Sequence, residues 1–171
     1  MNRYARAHAG QGNGADDRVT LVRYQRYVQE RLMHGDSLEI EGYEEDAQLL
    51  SLALATLALS DSVALQLAAA KHPHTPAAAL AHLANAADEE LRIAVASNPS
   101  SPPHTLTDLA QHDNLVTALA GNPALPVFLL VRFACHWNQE VRRRAAFNPA
   151  APEMVRRGVA EPVLPPDAYV G

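Results

Sequence analysis

Apolar residues return at the spacing of an α-helix in segments along this chain, and prolines separate the later segments. The first segment runs from Asp17 to Met33 and carries Val19, Leu21, Val22, Tyr24, Tyr27, Val28 and Leu32. Such a pattern predicts one amphipathic helix. The stretch from Leu91 to Ser97 has the same spacing over a shorter length and ends at an Asn-Pro pair. The pattern therefore predicts an all-α protein.

A short motif recurs through the second half of the chain. The pairs Asn98-Pro99, Asn122-Pro123 and Asn148-Pro149 are each followed by a second proline three residues after the first. The pair His72-Pro73, with Pro76, is an earlier version of the same motif. Successive pairs are 26, 24 and 26 residues apart. A regular period of this length is typical of a repeat protein.

Residues at matching positions around the four pairs also agree. Alanine lies two residues before each pair, as Ala70, Ala96, Ala120 and Ala146. An aliphatic residue lies seven before, as Leu65, Leu91, Leu115 and Val141. Leucine lies four after the second proline, as Leu80, Leu106 and Leu130, whereas the last copy has Arg156 there and offers Val155 as a substitute. These shared positions predict a core face of alanine and leucine.

Each copy of the motif predicts two short helices of about ten residues or fewer. The first helix ends at the Asn-Pro pair, because a proline pushes the preceding residue out of the α region and cannot donate to the turn before it. The second proline suits the first turn of the next helix. Polar runs such as 88–90 and 138–140 then open the following copy, where acidic side chains favour a helix N-terminus.

Helices this short gain stability only by stacking on neighbours. The copies therefore predict a short α-solenoid of about four to five two-helix repeats of 24–26 residues, with an N-terminal capping helix. We expect a disordered tail over 1–15, the helical cap over 16–53, the repeat array over 54–160, and a Pro-rich tail over 161–171. The segment from Leu54 to Ala58 repeats only half of the motif, as terminal repeats often do.

Copies such as 91–102 and 141–152, with their Asn-Pro-x-x-Pro cores, resemble the leucine-rich repeat variant, a bacterial family of helical repeats akin to HEAT and armadillo arrays. The resemblance covers about residues 54–160. It implies a right-handed superhelix of alternating α and 3₁₀ or short α-helices. The chain departs from the family in its His72 and its 26-residue spacings, and it lacks the clustered cysteines of an iron–sulfur segment. The family shares no catalytic activity, so the resemblance implies fold rather than function.

Composition and charge narrow the possible functions. The net charge is −5, which disfavours a general nucleic-acid binder. Aromatic residues make up only 5% of the chain, so the core must be built from Ala, Leu and Val. The charge is uneven, however. Residues 36–61 hold seven acids and no Lys or Arg, whereas residues 132–161 hold six arginines against three acids. The C-terminal end is therefore the basic part of an acidic protein.

Candidate chemistry is sparse. Cys135 is the one cysteine, and we expect it to be buried as a small apolar residue, turned away from the adjacent His136. The close pair His72 and His74 lacks further ligands at a fixed spacing for a metal site. The acidic run 44–46 is better explained by a helix start than by acid–base chemistry. We therefore expect no catalytic residues, no metal, no cofactor and no enzymatic activity.

The arginines of the last copy form the most prominent cluster. Arg144 replaces the alanine of earlier copies and Arg156 replaces a leucine, which indicates either a solvated end of the array or a site for phosphate or carboxylate groups. Trp137 could serve as an exposed anchor or as packing for that end. The candidate partner-binding residues are Arg132, Trp137, Arg142, Arg143, Arg144, Arg156 and Arg157.

These observations favour a non-enzymatic binding or scaffold module that recognises a protein partner through a helical-repeat surface. The alternative is a nucleic-acid or phosphate-binding helical repeat that uses the arginine-rich last repeat. No signal peptide is evident and the longest apolar stretch is too short to span a bilayer, so we expect a cytoplasmic location and no membrane contact. The identity of the partner and the oligomeric state do not follow from the sequence.

Overall fold

The computed structural model describes residues 14–34 and 44–157, and these residues form α-helices, one 3₁₀ turn and no strand. The predicted all-α class is confirmed. The chain divides into two compact units, Met1–Leu83 and Ala84–Gly171, and the boundary falls inside the predicted repeat array. The predicted C-terminal tail and most of the predicted N-terminal tail lie outside the described residues.

The described residues of the first unit form four helices: α1 (Gly14–Met33), α2 (Glu44–Ala58), α3 (Val63–Lys71) and α4 (Ala77–Leu83). Helix α1 contacts both α2 and α3, and α2 also contacts α4. Its core is aliphatic, with Val28, Leu50, Leu54 and Leu57 buried. The amphipathic helix predicted over 17–33 is thus present and begins three residues earlier. Helix α2 runs unbroken through Leu50, where the motif would place a proline.

The part of the second unit that the structure describes, up to Arg157, contains six helices and one 3₁₀ turn. The helices are α5 (Glu89–Ser97), α6 (Pro103–Leu109), α7 (Val116–Ala120), α8 (Val127–Ala134), α9 (Gln139–Phe147) and α10 (Glu153–Arg157). The first helices of successive copies, α5, α7 and α9, contact each other in chain order. Helix α8 contacts both α9 and α10. Each copy of the motif therefore supplies two short helices, as predicted.

The matching apolar positions form the core of this second unit. Leu91, Leu115 and Val141 are buried, as are Ala96, Ala120, Leu106 and Leu130. Packing changes in the last copy, where Ala146 is half-buried and Arg156 is exposed. Val155 is buried there, but it occupies the position of Leu129 and Thr105, which are also buried. Val155 therefore keeps its own place in the core and does not substitute for the leucine that Arg156 replaces.

The asparagines of the Asn-Pro pairs link the copies of the second unit. The side-chain Nδ2 of Asn122 donates to the backbone carbonyls of Ala96 and Asn98 at 2.7 and 2.8 Å. Asn148 repeats this one copy later and donates to the carbonyls of Ala120 and Asn122 at 2.9 and 2.8 Å. Asn98, Asn122 and Asn148 are each at most 2% exposed. We call the series Asn98, Asn122 and Asn148 the asparagine ladder.

The other side-chain atom of each ladder asparagine shapes its own turn. The Oδ1 of Asn98 accepts from the backbone N–H of Ser100 at 2.8 Å, and Asn122 and Asn148 accept in the same way from Ala124 and Ala150. Such turns are a preferred use of asparagine. One buried side chain therefore ends a helix, folds the following turn and reaches back to the previous copy.

The second proline of the motif lies one position earlier than predicted. Pro102 is the N-cap of α6 in extended backbone conformation, so the helix itself starts at Pro103. Its carbonyl accepts from the backbone N–H of Leu106 at 3.1 Å, as an N-cap carbonyl does. The proline still fixes where the second helix begins, because its φ is restricted and it has no N–H to satisfy.

The 24-residue spacing has a local structural explanation. The copies ending at Asn98 and Asn148 open with an N-cap, Asp88 or Asn138, followed by nine-residue helices. The copy ending at Asn122 is two residues shorter before its first helix, and it enters through the 3₁₀ turn Asp113–Leu115 into a helix of five residues. The shortening therefore falls in the loop before the first helix, whose first turn becomes 3₁₀, and leaves the ladder asparagine in place.

We predict that Asn122→Ala lowers the free energy of unfolding by about 2–4 kcal/mol. The substitution removes three side-chain hydrogen bonds and takes from the Ala96 carbonyl the donor that Asn122 supplies, while the Asn98 carbonyl keeps the backbone N–H of Ser101. Urea unfolding followed by circular dichroism measures the change. Asn114→Ala is the matched control, because Asn114 is exposed and bonds only the Glu89 carboxylate among the described contacts. A loss at Asn122 no larger than at Asn114 would contradict a stabilising role for the ladder.

Candidate partner-binding surface

Arg142 is buried in the last copy, unlike its neighbours Arg143 and Arg144. It is 8% exposed, and its guanidinium donates to the carbonyls of His136 and Trp137 at 2.7 and 2.8 Å. These carbonyls belong to the loop that precedes α9. Arg142 is a predicted binding residue, but its burial and its two bonds favour a structural role. It holds this loop against α9.

In an earlier copy, the residue equivalent to Arg142 also bonds the loop before its helix. Gln66, six residues before His72 as Arg142 is before Asn148, donates from Nε2 to the carbonyl of Ser60 at 2.7 Å. Both side chains reach a carbonyl six residues back. The 24-residue copy has a shorter loop, and its equivalent residue is the buried Val116. A long polar side chain at this position therefore accompanies the longer loop in these copies.

Arg143 and Arg144 lie on the exposed side of α9. The Nε of Arg144 is 2.8 Å from the Glu140 carboxylate one turn earlier, and its guanidinium approaches the Thr117 carbonyl of α7 at 3.4 Å. The hydrogen bond from Arg144 holds the pKa of the exposed Glu140 carboxyl below its ordinary value. Arg144 is thus partly engaged, while Arg143 extends from the same helix with no such carboxylate among the described contacts.

The remaining candidate arginines are exposed and only partly engaged. Arg132 donates to the carbonyl of Ala110 at 2.7 Å and lies over its neighbour's ring, with its guanidinium 5.3 Å from the Phe133 centroid. Arg157 pairs with Glu153 at 2.6 Å, and Arg156 donates to the Pro149 carbonyl at 2.9 Å. A guanidinium has five N–H donors, so each of these contacts leaves donors facing solvent.

Trp137 is exposed in the loop between α8 and α9. Its side chain is 54% accessible, and its ring centroid lies 5.4 Å from that of His136. It therefore lies at the surface and is not packed inside the end of the unit, in agreement with one of the two roles considered for it. The structure places Trp137 in the loop that Arg142 fastens.

Large apolar side chains are exposed beside these arginines on α8 and α10. Val127, Phe128 and Met154 are 51%, 60% and 69% accessible. Phe128 and Met154 occupy the same position in successive copies, six residues after the ladder asparagine, so they lie on the same side of adjacent helices. Val131, one turn beyond Val127 and Phe128, is half-buried. We call Phe128, Val131, Met154, Arg132 and Arg157 the outer strip.

A second exposed group lies on α9. Phe147 is 81% accessible at the end of that helix, and Arg143 and Arg144 precede it by four and three residues. Side chains at these spacings lie on one helix face. The most exposed large apolar residue of the described chain therefore shares its face with two arginines.

Phe128, Phe147 and Met154 are absent from the predicted binding set, which consists of arginines and Trp137. A signal was present in the copies themselves. The position of Phe128 and Met154 is Ala78 or His104 in earlier copies, and that of Phe147 is Lys71, Ser97 or Gly121. A large apolar residue at a position that is otherwise small or polar does not belong to the shared core, so it marks a surface with its own use.

The prediction that Cys135 is buried is wrong. Helix α8 ends at Ala134, and Cys135 is its C-cap and is exposed. The buried, core-like character of the segment ends one residue earlier. Among the described residues, no three His, Cys, Asp or Glu side chains come together as a metal site would require.

His72 replaces the ladder asparagine in the first unit. Its Nδ1 accepts from the backbone N–H of His74 at 3.2 Å, which reproduces the turn that Oδ1 makes in Asn98. Burial of the ring, followed by the charge of His74, lowers the pKa of His72 below its ordinary value. The pair of histidines thus has a local structural explanation.

An open hollow lies on the first unit, beside α2. It has a volume of about 390 Å³ and is lined by Ala47, Gln48, Ser51, Leu52, Ala55 and Pro76. No charged side chain lines it. Its lining is mainly apolar, and its polar side chains are those of Gln48 and Ser51.

Comparison of the chain with family models, with curated proteins and with solved structures found no match in any of the three. In the part of the chain that the structure describes, no helix combines the length and the apolar character needed to cross a membrane.

We predict that Arg142→Met lowers the free energy of unfolding by about 1–2 kcal/mol, because two loop carbonyls lose their charged donor. Arg143→Met, one residue along the same helix and exposed, should change it by less than about 0.5 kcal/mol. Thermal and urea unfolding of the two variants give the comparison. Equal effects would show that Arg142 has no special part in holding the loop.

We also predict that the protein loses stability on acidification partly through His72. An unfolded histidine binds a proton more tightly than the folded His72, whose pKa is lowered, so the free energy of unfolding falls as the pH drops through about 6.5. His72→Asn keeps an acceptor for the turn but does not titrate. Urea titrations between about pH 7.5 and 5 should show a weaker pH dependence in this variant, and an unchanged dependence would refute the assignment.

Proposed function

We propose that this protein is a non-enzymatic binding module that recognises a protein partner through the exposed surface of its last two copies. One observation carries the proposal. Phe128, Phe147 and Met154 are each at least 60% accessible, although the same unit buries its leucines almost completely. Exposed apolar groups of this size, placed among polar residues, are typical of protein interaction sites.

The scaffold fits this use. Stacked first helices and the asparagine ladder hold the copies of the second unit in fixed register, which supports the proposed helical solenoid and the resemblance to the leucine-rich repeat variant. Repeat proteins of this kind present binding residues from successive copies on one surface. Phe128 and Met154, at equivalent positions of adjacent copies, meet that description.

The arrangement of the arginines favours a protein over a nucleic acid. A nucleic-acid surface needs a contiguous basic strip that is not interrupted by acidic residues. Here Arg142 is buried, and Arg144 and Arg157 each pair with a glutamate on their own helix. The arginine-rich last copy is therefore interleaved with acids, and the nucleic-acid alternative is the weaker of the two candidate functions.

An affinity purification from host lysate tests the proposal, with and without nuclease, read by quantitative mass spectrometry. The bait is compared with a Phe128→Ser/Phe147→Ser variant. We expect protein partners that resist nuclease and fall at least about tenfold with the variant, because exposed aromatic residues dominate interfaces of this type. Leu59→Ser is the matched control, since Leu59 is 65% exposed on the first unit.

Two outcomes would overturn the proposed function. Partners that disappear on nuclease treatment, or nucleic acid in the eluate, would assign the surface to nucleic acid. Partners that the Phe128→Ser/Phe147→Ser bait captures as well as the native bait does would place the binding surface elsewhere.

A further inference from the structure

The outer strip has two chemically distinct halves. Phe128 and Met154 lie near the start of α8 and α10, and Arg132 and Arg157 lie about one turn further along those helices. Residues one turn apart are separated by about 5.4 Å along the axis. The strip therefore presents large apolar side chains beside guanidinium groups, on two helices that contact each other.

Helix α8 is unusual because it is apolar on its outer side as well as its inner side. Leu129, Leu130 and Phe133 are buried, yet Val127 and Phe128 are more than half exposed. Arg132, the one charged residue of this helix, is exposed as well. At the equivalent positions of the preceding helix α6 stand Pro103 and the polar His104, both exposed. Val127 and Phe128 therefore do not belong to the shared core positions of the copies, and their side chains are available to a partner.

Charge identifies the chemistry of that partner. Residues 127–157 carry six arginines and two glutamates, whereas the rest of the chain carries eight basic residues and seventeen acids. The exposed apolar residues of the outer strip thus lie within a stretch of net positive charge in an acidic protein. Both glutamates already pair with arginines of their own helices, so the charge that faces solvent there is positive.

We infer that the outer strip binds an acidic amphipathic protein segment, in which apolar side chains contact Phe128 and Met154 while carboxylates pair with Arg132 and Arg157. The inference rests on the proposed function and names the class of its partner. A helical segment with apolar and acidic residues three or four positions apart matches the one-turn offset between the two halves of the strip. Guanidinium groups bind carboxylates through paired hydrogen bonds, which adds orientation to the apolar contact.

Fluorescence anisotropy with the full-length protein and labelled synthetic peptides tests the inference. The first peptide places leucine and glutamate at amphipathic helical spacing. The second has the same composition in scrambled order, and the third replaces each glutamate by lysine. A single-stranded oligonucleotide of equal charge is the fourth probe. We expect the first peptide to bind at least about tenfold more tightly than each of the others, and less tightly at high salt.

Variants assign the binding to the strip. Phe128→Ser/Met154→Ser should weaken the first peptide at least about tenfold, and Leu59→Ser on the first unit should leave it within about twofold. Arg132→Gln/Arg157→Gln should weaken it and reduce its salt dependence. Arg23→Gln/Arg26→Gln is the matched charge control, because both arginines are exposed on α1. Circular dichroism confirms that each variant is folded.

The other outcomes overturn the inference and remain distinguishable from failure of the proposed function. Equal binding of the scrambled peptide would show that charge alone, without the apolar contacts, accounts for binding to the strip. Tighter binding of the oligonucleotide would assign the strip to nucleic acid. Concentration-dependent association of the protein alone, lost in Phe128→Ser/Met154→Ser, would make a second copy the occupant. If no peptide binds while a lysate protein still depends on Phe128, the binding function stands and the acidic partner is wrong.

Discussion

The second unit depends on the need of buried backbone carbonyls for a donor. A short helix ends with several carbonyls that have no partner within the helix, and stacking such helices would bury these groups at a cost of about 1–3 kcal/mol each. Asn122 and Asn148 meet this need, because the Nδ2 of each bonds two carbonyls at the end of the previous first helix. Close packing of alanine and leucine can then proceed without leaving polar groups unsatisfied.

The remaining features of the copy follow from this constraint. The alanine two residues before each pair supplies one of the two carbonyls and lets the next copy approach closely, as Ala96 and Ala120 do. The prolines that follow fix the turn so that the asparagine side chain stays aligned. Loop length is free to vary, because a long polar residue such as Arg142 can fasten a longer loop from the side.

Much of this fold could be predicted from sequence because its determinants are local. Proline positions and apolar spacing placed the helices within a few residues, and the matching positions identified the core. The ladder could not be derived in the same way, since the acceptors of Asn122 are backbone carbonyls 24 and 26 residues away, which leave no mark in residue identity. The same holds for the candidate surface. The burial of Arg142 and the exposure of Phe128 depend on how neighbouring helices pack, whereas the sequence shows only that arginines are clustered.

The ladder also bears on how such a chain can change length over generations. The Nδ2 of Asn122 and that of Asn148 bond carbonyls of the preceding copy only. A gene segment that runs from one Asn-Pro pair to the next therefore encodes one asparagine donor and the two carbonyls that the next asparagine bonds. An in-frame duplication or loss of about 72–78 nucleotides, three for each residue of a 24- or 26-residue copy, would leave every remaining junction chemically intact. The copies of 24 and 26 residues in this chain make the same asparagine bonds, so a junction accommodates either length as long as the asparagine keeps its place.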